Sequence, residues 1–68
     1  MRDVPIRGDV IRLGQLLKLA GLAESGGDAR ALVEEGAVTV NGEVETRRGR
    51  QLQRGDVIAL GDEAVRIS

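Results

Sequence analysis

The sequence predicts a small α+β domain, with two short helices packed on one face of a small, mainly antiparallel sheet of short strands. Three observations carry this. Apolar residues recur at helical spacing in two stretches of the first half, they alternate in the second half, and Gly-containing turn signals separate the stretches at short intervals. Sixty-eight residues suffice for a single domain spanning 1–68, with a modest core and little room for an enzyme cleft.

Val4 to Ile6 reads as a short edge strand, where Pro5 is permitted because an edge amide need not pair. Leu13, Leu16, Leu17 and Ala20 follow the i, i+3, i+4, i+7 rule of one helix face and turn Gln15 and Lys18 to the other. Gly21 is the stop signal of this helix. Ser25 is the cap of a second helix, Asp28 serves as a shortened capping-box acid, and Ala29, Leu32 and Val33 form the buried stripe before Gly36 ends it. Beyond Gly36 the pattern alternates through Val38, Thr39 and Val40, turns at Asn41-Gly42 and resumes at Glu43, Val44 and Glu45. A two-residue turn sets Val44 opposite Thr39 on the polar side, so a three-residue loop bulged at Gly42, pairing Val38 with Val44, is expected. Gly55-Asp56 and Gly61-Asp62 then bracket a strand from Val57 to Leu60, and Val65 and Ile67 alternate with Arg66 in the last strand.

Composition narrows the chemistry. The chain has no Cys and no His, which removes disulfides, thiolate and imidazole metal sites and the commonest nucleophile–base pairs, and no paired carboxylates stand out. A noncatalytic protein with no metal, cofactor or small-molecule substrate is expected. No apolar run approaches the ~20 residues of a membrane span, and Met1-Arg2-Asp3-Val4-Pro5-Ile6 lacks the apolar core of a signal peptide. The expectation is therefore a cytoplasmic protein that does not engage a membrane. With ten Lys and Arg against eleven Asp and Glu, the net charge of −1 leaves any anion binding to a local patch.

That patch is conspicuous. Arg47, Arg48 and Arg50 stand within four positions around Gly49; three guanidiniums in one loop repel one another and are most easily tolerated opposite an anion, usually phosphate. The bland alternative is a solvated loop paired with Glu43 or Glu45. Upstream, Ser25-Gly26-Gly27 offers a helix start with two bare backbone positions where a phosphate can approach the amides, provided Asp28 points away. Arg30 either extends the patch or pairs with Glu34 one turn later. Arg12 and Lys18 either join it or remain solvated surface.

The ordered series Leu13-Gly14-Gln15-Leu16-Leu17-Lys18, Ser25-Gly26-Gly27-Asp28-Ala29-Arg30, Val38-Thr39-Val40-Asn41-Gly42-Glu43, Arg47-Arg48-Gly49-Arg50 and Gly55-Asp56 resembles the RNA-binding domain named after ribosomal protein S-four, from about residue 11 onward. The pattern is most similar to the small stand-alone bacterial branch, the YbcJ-like proteins. The resemblance implies the αL motif, two helices plus a loop presenting a basic surface to structured RNA, with ribosomal RNA a candidate partner; no extra apolar stripe offers a dimer interface, so a monomer is expected. Arg47, Arg48, Arg50, Gly26, Gly27, Ser25, Arg30, Lys18 and Arg12 are the RNA-contact candidates. Many relatives carry Lys at the positions of Gln51 and Arg30; the first difference weakens the loop's charge, whereas the second keeps it and adds a planar fork for phosphate. With no aromatic ring to stack on, phosphates and RNA shape must carry recognition.

Overall fold

The computed structural model describes residues 1–68. In chain order the elements are β1 (Arg2–Val4), β2 (Val10–Arg12), α1 (Leu13–Leu19), α2 (Gly26–Glu34), β3 (Val38–Val40), β4 (Glu43–Val44), β5 (Gln51–Gln53), β6 (Val57–Leu60) and β7 (Glu63–Ile67). Five strands form one sheet in the order β1-β7-β6-β3-β4, antiparallel except for the parallel β1–β7 pair, and β2 and β5 form a separate antiparallel pair. The α+β class is as predicted. Helical Leu13, Leu16, Leu17, Ala20, Ala29 and Val33 meet the inward residues Val4, Val38, Val40, Ile58, Val65 and Ile67 of the large sheet in one buried cluster, completed by Ala23 and by Leu52 of β5.

Both helices end alike. The Gly21 amide donates to the Lys18 carbonyl and Leu22 to Leu17; likewise Gly36 donates to Val33 and Ala37 to Leu32. Each pair of bonds is a Schellman closure around a glycine in the left-handed region, with φ of 75° at Gly21 and 77° at Gly36. The stop residues read from sequence are the stop residues used.

Three strand features depart from the reading. The first strand is Arg2–Val4 rather than Val4 to Ile6, although the ladder reaches onward through Ile6 N–H donating to the Ser68 carbonyl at 3.1 Å. β2 and β5 were not foreseen. Each has only three residues, and their partners, such as Ile11 and Leu52, are far apart in sequence. The third departure is the hairpin: it closes on the two residues Asn41 and Gly42, with φ of 52° and 87°, pairing Val40 with Glu43 and Thr39 with Val44. There is no bulge. Positive φ at both central residues suits an Asn-Gly hairpin, and that turn chemistry outweighs the burial of one valine, which is left 61% exposed. The same register carries Glu45 inward beside Val38, to whose carbonyl its amide donates at 3.1 Å.

Candidate nucleic-acid interface

Residues 45–50 are organised from within by Glu45, the one charged residue in the buried set. Its Oε2 accepts from the amides of Thr46 at 3.0 Å and Arg47 at 3.1 Å and from Arg47 Nε at 3.2 Å; its Oε1 accepts from Arg50 Nη1 at 3.1 Å and from Arg47 Nη2 at 3.4 Å. The bonds from the Arg47 side chain and amide, helped by Arg50 and opposed by burial, hold the Glu45 carboxyl down at about 2. The reciprocal pairing raises Arg47 above its already high value.

The outside of the loop faces α1. The carbonyls of Arg48 and Arg50 accept the amides of Gly14 and Leu13, each at 2.9 Å. These are first-turn amides that no helical carbonyl can serve, and Arg12, at the N-cap position, provides no side-chain cap. The loop itself therefore caps α1. The β2–β5 pair fixes it from below by setting Arg12 opposite Gln51.

α2 begins by a local solution. Ser25 Oγ accepts from the Asp28 amide at 3.0 Å, and the Asp28 carboxylate reaches back to the Glu24 amide at 3.0 Å. The amides of Gly26 and Gly27 find no acceptor in the protein. A Cβ built on Gly26 would meet nothing within 4 Å, and one on Gly27 only Ser25 Oγ at 3.9 Å, so neither glycine is demanded by internal packing.

Loop, α1 and the start of α2 enclose an open groove of about 290 Å³ lined by Arg12, Gln15, Lys18, Gly26, Arg48 and Gly49 among others. No lining residue is acidic. Arg12, Lys18 and Arg48 are exposed and make no ion pair or side-chain hydrogen bond. The structure thus brings together four of the residues singled out by sequence, Arg12, Lys18, Arg48 and Gly26, with Ser25 and Gly27 beside them in the same helix start. The remaining three lie outside the groove lining. Arg47 and Arg50 turn to Glu45, and Arg30 pairs with Glu34 at 3.1 Å. The pairing of loop arginines with Glu45, given in sequence as the alternative to RNA contact, is present for Arg47 and Arg50, but the burial of Glu45 was missed; the signal was the Asn41-Gly42 turn, which in its two-residue form sends Glu45 to the core side.

Residues 4–68 match the profile of the family described as "S4 domain". The chain is 46% identical over 57 residues to the "Probable ribosome maturation protein RlbA" of Bacillus subtilis, an alignment covering 84% of this chain and 80% of that protein. It is 37% identical, over 84% of this chain and 81% of the relative, to the "Putative RNA-binding protein YbcJ" of Escherichia coli. A tyrosine–tRNA ligase of Moorella thermoacetica is 40% identical over 63 residues, but there the match spans only 15% of the ligase. Two-helix packing, hairpin, docked loop and an alignment over nearly the whole chain lead to one assignment: the chain belongs to the S4 domain family, alongside small relatives of its own length.

Proposed function

We propose that the chain is a noncatalytic module that binds folded RNA, with the backbone phosphates lying in the groove between the loop, α1 and the start of α2. The observation that carries this is the gathering of three unpaired cations, Arg12, Lys18 and Arg48, around one groove with no carboxylate in its lining, in a protein whose net charge is −1. The free amides of Gly26 and Gly27 add donors at the positive end of α2, and Ser25 holds that turn in place. Arg47 and Arg50 lie in the same loop as Arg48, and the exposed side of Arg47 borders the RNA. The names of the Bacillus and Escherichia relatives support RNA as the ligand, and the ribosome maturation named for the first favours ribosomal RNA. A cytoplasmic monomer suits this role, and no helix is long and apolar enough to cross a membrane.

With no ring to stack on, the domain should prefer a hairpin RNA to an unstructured strand of equal length. Three facing cations predict a log–log salt slope of about −2 to −3, given ~0.7–0.9 per phosphate neutralised. The test is a titration of both RNAs across a salt series with the wild type and the Arg12→Glu, Arg48→Glu double variant. The variant should lose at least about tenfold in hairpin affinity, the equivalent of ~1.4 kcal/mol, at an unchanged melting temperature. Unchanged affinity, or equal and salt-insensitive binding of both RNAs, would refute the reading and point to an acidic protein surface as the occupant.

A further inference from the structure

We propose that Glu45 is a positioning residue for RNA recognition: it engages Arg47 and Arg50 as internal partners and leaves Arg48 as the guanidinium that the loop presents to the groove. The inference rests on the RNA reading above and assigns unequal roles to three arginines that look equivalent in sequence.

A buried carboxylate without partners is strongly disfavoured, so Glu45 at 7% exposure has to gather donors around it. Two amides and two guanidiniums supply five bonds, and no buried side-chain oxygen or nitrogen is left without a partner. Closing the chain around the carboxylate also fixes the direction of the carbonyls. Arg50 N–H donates to the Arg47 carbonyl at 3.2 Å, while the Arg48 and Arg50 carbonyls face out toward Gly14 and Leu13. Arg48 thus sits between two anchored residues, its backbone pinned to α1, in the lining of the groove, and its exposed side chain free of any internal partner.

Charge follows geometry. Three guanidiniums and one carboxylate give residues 45–50 a local charge of +2, where the arginines alone would give +3. Glu45 therefore subtracts from the general attraction for any polyanion while ordering the one cation whose position matters. Such a residue favours discrimination between RNAs over raw affinity.

The test uses the full chain with Glu45→Gln, Glu45→Asp, Arg47→Gln and Arg48→Gln, titrated with the hairpin and unstructured RNAs across the salt series. Glu45→Gln should steepen the salt slope by about one unit and bring the affinities for the two RNAs at least several-fold closer together. Glu45→Asp, which keeps the charge, should return the slope to that of the wild type. Arg48→Gln should cost at least about fivefold more hairpin affinity than Arg47→Gln, a comparison between two exposed side chains that does not depend on how Glu45→Gln folds. A slope unaltered by Glu45→Gln, or equal losses for the two arginine variants, overturns the role of Glu45 while the wild type still binds. A wild type that binds neither RNA overturns the RNA reading and this role with it.

Discussion

The starts of the two helices solve the same problem with opposite resources. α1 hands its first free amides, Leu13 and Gly14, to carbonyls of Arg50 and Arg48 that lie more than thirty residues away, and uses neither a side-chain cap nor an acid in its first turn. α2 closes on itself through Ser25 and Asp28 within five residues and leaves the Gly26 and Gly27 amides unpartnered. Because both helices finish with the same glycine closure, the contrast belongs to their starts alone. A start capped by a distant loop couples that loop rigidly to the core. A start capped locally keeps its outermost donors free for a ligand, and the two lie on either side of one groove.

Deleting the anchor of each start should separate them most sharply. Leu13 is fully buried at the first position of α1, so Leu13→Ala should cost about 2–5 kcal/mol in urea unfolding. It should also speed amide exchange at Thr46 and Arg47, whose loop depends on that end. Ser25→Ala removes one exposed cap and should cost only about 1 kcal/mol, with exchange rising near Asp28 and no change in the loop. Equal losses, or a loop insensitive to Leu13→Ala, would mean that the docking of the loop on α1 contributes little.

Acid tests the loop that caps α1 through Glu45. Its folded value of about 2 lies below the ordinary 4.5, so between these limits the unfolded chain binds more protons than the folded one. Stability from this carboxylate is fully present above about pH 4.5 and is lost as pH falls toward 2. Urea midpoints should therefore drop across that window, and amide chemical shifts of Thr46 and Arg47 should move with them. Glu45→Gln should flatten the decline; an identical decline in that variant would assign it to other carboxylates.

How much of this was legible in the sequence follows the distance over which each feature is decided. Ser25 with Asp28, and the stops at Gly21 and Gly36, are settled within five residues, and each appears in the structure where its chemistry placed it. The pairing of β2 with β5 joins three-residue segments some forty positions apart, too short to carry an alternation signal. The hairpin was misread for a different reason. Weighing the burial of Val44 against a tight Asn-Gly turn favoured a bulge, whereas the tight turn leaves Val44 exposed and sends Glu45 inward, where Arg47 and Arg50 receive it. The arginine cluster itself was plain, but its division into Arg48 at the groove and two partners of Glu45 depends on that register. Arg12 and Lys18, ambiguous in sequence, both line the groove, on the strand and helix to which the loop is bonded.

The smallest expected change in stability per substituted residue falls at the open start of α2. Gly26 and Gly27 both lie outside the left-handed region, and Cβ atoms there would meet no close neighbour, so no steric term opposes alanine. Alanine removes the entropic cost of glycine in a helix, about 0.5–1 kcal/mol per position, and Gly26→Ala with Gly27→Ala should raise the urea midpoint accordingly. The same two methyl groups would stand beside the free amides, that of residue 26 in the groove lining, where a phosphate must come close to accept from them. The double variant should therefore be more stable and bind the hairpin RNA several-fold more weakly, an opposition that a purely structural role for these glycines does not produce. Tighter or unchanged binding would remove the α2 amides from the interface and leave recognition to Arg12, Lys18 and Arg48. Reduced stability would instead mean that the first turn of α2 needs a backbone freedom that only glycine provides.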